Sequence, residues 1–364
     1  MLYIQTPKLY INEPGSIKDC GKYIAGYGHR AYIIGGRRAL DIVKDELTQS
    51  LKENGIEYEY SVFEGFPSNN NISIYADKIR QSGADIVIGA GGGRVMDITK
   101  AAGFEAGTAI VTIPTIAATC AAWAALSVIY TDEGDFDGFR PAQRCPDVII
   151  ADTDIIVSAP DRYIRAGIVD TMAKWYETAP RLNEHPDELP LDISVYGSKL
   201  ALGLLLDKGL KVSQVARNGV KPDDAGAVVD AIIYLAGFVG SFIGGQAYGG
   251  FAHPFYHSAR RIPAVRQKLH GEVVAFGILT QLILENHTDA EVTKVIKDFD
   301  LFEEAFTADE IGLADDNDKR IVAARILDTF EGTVIPDENK NVESIVRAMI
   351  HADELVRAYR KKEQ

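Results

Sequence analysis

The stretch Gly89-Ala-Gly-Gly-Gly-Arg-Val-Met-Asp-Ile-Thr-Lys100 begins where an apolar β-branched run, Asp85-Ile-Val-Ile-Gly89, ends, and it leads into an amphipathic run from Met96 to Gly103. Glycines at a strand-to-helix junction let backbone N–H groups approach a pyrophosphate, and the helix N-terminus adds favourable partial charge. The spacing is neither G-x-G-x-x-G nor a Walker loop, because Arg94-Val95 stand where G-K-[ST] is required. The competing reading is a tight β-α turn without a ligand. In that case Asp97 is simply an acid in the first turn complementing the helix dipole.

The surrounding pattern favours a nucleotide-binding sheet. Ala31 to Ile34 reads as a strand and Arg38 to Asn54 as a helix, with Leu40, Val43, Leu47 and Leu51 at helical spacing. Tyr58 to Phe63 is a second strand, Ile72 to Gly83 a helix, and Thr108 to Ile113 a strand beyond the glycine run. This β-α-β-α-β progression implies a parallel sheet with helices on both faces. In such sheets ligands sit beyond the carboxyl ends of the strands. From about Ile164 the pattern changes to helices: Ala166 to Glu177, Ile193 to Asp207, Gly226 to Gly244, Val273 to Asn286, Ala290 to Phe299 and Val342 to Tyr359. At 364 residues two domains are expected. The break near Ala159-Pro-Asp161 gives an α/β dinucleotide-binding domain over 1–160 and an all-α domain over 161–364, expected to hold metal and substrate.

A net charge of −14 argues against a nucleic-acid surface, which needs clustered Lys and Arg. Cys20, Cys120 and Cys145 are far apart and form no C-x-x-C pair, the pattern of a reduced intracellular protein. MLYIQTPKLYINEPG has no basic n-region followed by an apolar h-region, so no signal peptide is expected and a cytoplasmic location is. Gly226 to Gly245 is long enough to cross a bilayer, but Asp230, the glycines and the lack of basic flanks favour a buried helix. No membrane partner is expected.

Three further groups of residues can carry chemistry. Asp170, His253, His257 and His270 are candidate metal ligands, since two imidazoles and a carboxylate leave an open position on Zn²⁺ or a similar divalent ion. His253 and His257 are i, i+4, so spacing alone does not choose between them. Each of the four is, taken singly, more often a surface or satisfied core residue. Gly35-Gly-Arg-Arg38 ends an early strand, where arginine accepts a 2′-phosphate and an acid favours NAD; a solvated helix start fits equally. Cys120 lies among small uncharged residues in TIPTIAATCAAW, with no histidine beside it in sequence to activate a nucleophile.

Together GAGGGRVMDITKAA, IPTIAAT, ALSVIYT at 125–131, AGIVDTMAKWYE and His270-Gly-Glu-Val-Val-Ala-Phe-Gly277 resemble the iron-containing (type III) alcohol dehydrogenase superfamily, in its glycerol dehydrogenase-like branch. The resemblance runs from about Ile33 to Gly277. It implies a dehydroquinate synthase-like, glycerol dehydrogenase-like fold. It also implies hydride transfer between nicotinamide and a substrate held at one divalent metal, with Zn²⁺ favoured over Fe²⁺, Ni²⁺ or Mn²⁺. By resemblance the metal ligands are Asp170, His253 and His270. His253 keeps the family's following position poorly, with Pro254 where alanine is usual, so His257 stays an alternative. The pyrophosphate falls to Gly91, Gly92 and Gly93 with Asp97 nearby, and the ribose and nicotinamide to Thr115, Ala118, Leu126 and Tyr130. No other catalytic residue is implied, and relatives form homo-oligomers.

Within the superfamily, Cys120 stands where glycerol dehydrogenases carry a substrate-binding aspartate. The run from Ile113 to Trp123 resembles the hydroxycarboxylate dehydrogenase branch, which reduces 2-oxo acids with NADPH. Two like charges about 4 Å apart cost roughly 4 kcal/mol at an effective dielectric of about 20, so a neutral thiol suits an anionic substrate. Cys120 and Trp123 are therefore expected in the substrate pocket. Gly35, Arg37 and Arg38 are expected to favour NADP(H) over NAD(H). The leading expectation is interconversion of 2-oxo and 2-hydroxy acids; the alternatives are an NAD-dependent polyol dehydrogenase and, more remotely, a dehydroquinate synthase-like lyase.

Overall fold

The structure, a computed structural model, describes residues 3–141, 144–183, 188–218, 221, 223–243, 250–330 and 332–363. The chain forms two compact units: Met1–Ile164 with Gln214–Ile243, and Arg165–Ser213 with Gly244–Gln364. A single cut at residue 160 therefore does not describe the units, because the segment 214–243 packs with the N-terminal one.

The strands are β1 (Tyr3–Ile4), β2 (Leu9–Asn12), β3 (Arg30–Gly35), β4 (Glu57–Val62), β5 (Ile86–Gly91), β6 (Ala109–Pro114), β7 (Leu126–Tyr130), β8 (Phe136–Pro141), β9 (Val148–Ala151) and β10 (Phe242–Ile243). Six of them make one sheet in the order β2-β9-β6-β5-β3-β4, and every pairing in it is parallel. The inner strands β5 and β9 are buried along their whole length, which is why their sequences are continuously apolar rather than alternating. The edge strand β4 is polar, and its Glu57 and Glu59 pair with Arg30 of β3. Ile33, Leu47, Ile88, Val111 and Ile150 belong to one core cluster between sheet and helices.

The chain runs from β3 outward to β4, then returns to β5 on the other side of β3 and continues to β6 and β9. The order reverses between β3 and β5, the place where open α/β sheets bind ligands beyond the strand ends. Gly35 at the end of β3 aligns with Ala90 of β5, and Gly91 aligns with Pro114 of β6. β7 and β8 form an antiparallel hairpin outside the sheet.

The expected helices over the first domain are present as Arg37–Glu53, Asn69–Ser82 and Gly93–Ala106. The run expected as a helix from Gly226 to Gly244 is helical only from Ala225 to Val239, and Phe242–Ile243 then pairs with β1; Gly244 lies outside the described residues. Its Asp230 accepts hydrogen bonds from Tyr10 Oη at 2.8 Å and Asn12 Nδ2 at 2.7 Å, so this apolar stretch is packed against β2. In the second unit the regular elements among the described residues are helices, including Leu189–Leu204, Ala252–Ala259, His270–Leu284, Asp289–Asp300, Asp316–Thr329 and Val342–Glu363. The continuous helical stretch Leu189–Arg217 is 29 residues long and apolar enough by length and composition to cross a bilayer, a feature the sequence reading does not single out.

Candidate metal centre and cofactor cradle

In the helical unit, helix Asp161–Thr178 carries Asp170, helix Ala252–Ala259 carries His253 and His257, and His270 opens helix His270–Leu284. Gly271 explains how two of these elements meet. A Cβ at that position would lie 1.9 Å from the carbonyl oxygen of Ala166, so only glycine lets the start of the His270 helix press on the turn before Asp170. Asp170 Oδ1 consequently lies 2.9 Å from His270 Nε2 and 3.4 Å from His253 Nε2. The Asp170 carboxylate is 1% exposed.

One ligand atom from each of Asp170, His253 and His270 lies within 4.8 Å of the others. Asp170 Oδ1 is buried, and the two imidazole nitrogens that face it are its near polar neighbours. A carboxylate oxygen and two ring nitrogens converging in this way fit a divalent ion with a position left open. His257 is not part of the cluster among the described residues. It is buried, stacks on Phe330, and burial holds its pKa well below the usual imidazole value. The structure thus brings His253, not His257, to Asp170.

Burial and neighbouring charges shift every titratable group of the cluster. Burial opposes charge on Asp170, yet His270, Lys174 and the hydrogen bonds to both imidazoles hold its carboxyl well below the usual range. Burial also opposes charge on His253, but Glu177, with hydrogen bonds to Asp170 and Glu177, pushes the imidazole up to about 9. For His270 burial prevails and lowers the pKa. Tyr256 packs edge-on to the His270 ring, with centroids 4.2 Å apart. Glu177, Lys174 and Tyr256 are absent from the sequence-based site. Glu177 lies seven residues after Asp170, two helical turns along one face, and that spacing was the available signal.

In the sheet unit, Gly91 leaves β5 with φ +155°, and helix Gly93–Ala106 starts from Gly92 with no side-chain cap. Thr115 N–H donates to the Gly91 carbonyl at 3.1 Å. A Cβ on Gly93 would stand 3.7 Å from both Thr119 Oγ1 and Ala121 Cβ, which places the segment around the half-buried Cys120 beside the helix start. Ala118 is half-buried in the same segment. These N–H groups, without a side-chain cap, fit a pyrophosphate. Gly35, Arg37 and Arg38 lie at the neighbouring end of β3, with Arg37 paired to Glu64 at 2.9 Å and Arg38 exposed.

Other expected residues are placed differently. Asp97 is buried and pairs with the fully buried Lys100 at 3.1 Å, burial raising its pKa despite that partner. Lys100 Nζ also donates to the carbonyls of Ala124 and Leu126. Through Lys100, and through its own carbonyl, which accepts from Ser127 Oγ at 2.9 Å, Asp97 ties the helix to the start of β7. Tyr130 is buried against Phe66, and the Arg94 guanidinium lies over the Phe66 ring, 5.2 Å from its centroid. Trp123, expected in the substrate pocket, is 5% exposed; its indole N–H donates to Ser241 Oγ at 2.9 Å and its ring packs on Tyr10 and Tyr234. It is a packing residue of the sheet unit.

Residues 7–153 match the family model described as iron-containing alcohol dehydrogenase. A glycolaldehyde reductase of Halobacterium salinarum is 32% identical over 98% of this chain and 99% of its own length. A glycerol dehydrogenase of Escherichia coli O6:H1 is 33% identical over 80% of each chain, and hydroxycarboxylate dehydrogenase A of Escherichia coli K12 is 32% identical over 81% of this chain and 82% of its own. The crystal structure of a probable glycerol dehydrogenase from Sinorhizobium meliloti 1021 superimposes with a TM-score of 0.88 at 23% identity, covering 98% of this chain and 99% of that one, which establishes the shared fold.

Proposed function

The chain belongs to the iron-containing alcohol dehydrogenase family and is an oxidoreductase acting on CH–OH groups; from that premise we propose that it interconverts small 2-oxo and 2-hydroxy acids. A divalent ion, with zinc the preferred candidate, supplies Lewis-acid polarisation of the substrate oxygen when bound, and a nicotinamide cofactor supplies or accepts the hydride. Asp170, His253 and His270 are the residues to hold the ion. One carboxylate and two neutral imidazoles leave such a centre with a net positive charge, which attracts an anionic substrate. The uncapped helix start at Gly92 and Gly93 receives the cofactor's pyrophosphate, and Arg38, exposed at the end of β3, supports a preference for NADP(H).

The observation that carries the substrate reading is Cys120. It puts a neutral, half-buried thiol beside the cofactor cradle, where an aspartate would repel a carboxylate. A polyol reading is favoured by the comparable 33% identity to a glycerol dehydrogenase. Initial rates of zinc-loaded protein with NADPH plus 2-oxoglutarate and with NAD plus glycerol decide between them. The oxo-acid reading expects the first pair to be turned over faster; turnover of glycerol with NAD alone rejects it.

A further inference from the structure

Helix Ala252–Ala259 has no local side-chain cap at its start. Its first turn is instead held by a residue 76 positions earlier: Glu177 Oε1 accepts the His253 backbone N–H at 3.0 Å, and Glu177 Oε2 lies 2.5 Å from His253 Nδ1. The same carboxylate thus grips both the main chain and the ring of one residue. The contact is built into the fold. Glu177 is 2% exposed, and a Cβ at position 250 would lie 2.2 Å from Glu177 Cγ, so Gly250 is what admits the carboxylate. Next to it, Gln281 Oε1 accepts the Phe251 N–H at 2.9 Å without touching an imidazole.

An imidazole that gives its Nδ1–H to a carboxylate keeps its Nε2 lone pair for a metal, with ring orientation and tautomer both fixed. His253 Nε2 is the atom that faces Asp170. We propose that Glu177 is the positioning residue of the metal centre: it fixes His253 with Nδ1 protonated and Nε2 directed at the ion, and so sets the affinity of the site. This rests on the reading of Asp170, His253 and His270 as metal ligands. A glutamine at position 177 has nearly the same shape, but its amide can donate to Nδ1 and so stabilise the opposite tautomer.

The test is zinc affinity, read by competition with a chromogenic chelator, in wild type, Glu177→Gln and Gln281→Leu. Loss of an outer partner of a metal-bound histidine costs about 10- to 100-fold in affinity, and that weakening is expected for Glu177→Gln at unchanged far-UV circular dichroism. Gln281→Leu is expected to leave zinc affinity within about threefold of wild type, because it removes an anchor of the same helix start but no partner of the ring. Equal affinity of wild type and Glu177→Gln overturns the assignment, as does equal weakening by Gln281→Leu. A measurement on the wild type needs no variant: in zinc-loaded protein labelled with ¹⁵N-histidine, His253 is expected to carry its proton on Nδ1, and a proton on Nε2 overturns the proposal. A wild type that binds no zinc rejects the metal centre itself, which separates that failure from a failure of the role of Glu177.

Discussion

Cys120 is flanked by Thr119 and Ala121, whose side chains would meet a Cβ on Gly93 at 3.7 Å. Its carbonyl accepts hydrogen bonds from the N–H groups of Trp123 and Ala124, which fixes the turn in which the thiol sits. A substitution here changes charge without removing a main-chain contact, so it isolates the electrostatic argument. Cys120→Asp puts a carboxylate where an oxo acid's own carboxylate would approach. At about 4 Å and an effective dielectric of about 20 the repulsion is roughly 4 kcal/mol, and screening and side-chain relaxation reduce that to a loss of about 100-fold in kcat/KM. Steady-state kinetics with 2-oxoglutarate should show this loss, while activity toward glycerol is unchanged or rises. Equal losses toward both substrates would point to damaged geometry, and no loss toward the oxo acid would remove Cys120 from the substrate site.

Between elements, the decisive contact is the approach of helix His270–Leu284 to helix Asp161–Thr178 at Gly271. Gly271→Ala adds one methyl group where 1.9 Å separates it from a backbone oxygen, and backbone cannot swing aside as a side chain can. The helices must separate, which costs about 1–3 kcal/mol or more in a packed interior. Because His270 precedes the glycine, its Nε2 also leaves Asp170. Isothermal titration should therefore show zinc affinity falling along with the urea midpoint, and a variant that binds zinc as wild type does would refute the geometric account. The importance of this contact was only half legible in sequence. His270-Gly-Glu and AGIVDTMAKWYE carry a family resemblance, but nothing in either run says that Gly271 touches Ala166. The long amphipathic helices and central strands were readable because their periodicity is continuous over many residues, as in Arg37–Glu53. β2 and β9, of four residues each, are too short for a pattern, and they become strands by pairing with each other across 139 positions of chain from Leu9 to Val148. Helix Ala252–Ala259 contains Pro254 and is held by Glu177 and Gln281, so its helicity depends on partners distant in sequence.

Over the whole molecule, the two candidate sets of ligand-binding residues belong to different compact units. Gly35, Arg37, Arg38, Gly91, Gly92 and Gly93 lie in the unit built on the parallel sheet, whereas Asp170, Glu177, His253 and His270 lie in the helical one. A ligand stabilises what it binds, by about 2.7 kcal/mol when its concentration is about 100 times its Kd. That free energy is expressed first as suppressed local opening of the elements that supply the contacts. Hydrogen exchange followed by mass spectrometry can therefore assign each ligand to its unit without any measurement of turnover. Zinc alone should slow exchange in peptides from Asp161–Thr178, Ala252–Ala259 and the start of His270–Leu284. NADPH alone should slow it in peptides covering Gly35–Arg38 and Gly91–Val95, and NADH should do so less strongly if Arg38 receives a 2′-phosphate. Stabilisation of about 2.7 kcal/mol corresponds to roughly 100-fold slower exchange for amides that open locally at the binding site. Zinc protection confined to the glycine run, or NADPH protection confined to the helices of Asp170 and His253, would contradict the assignment of cofactor and metal to separate units.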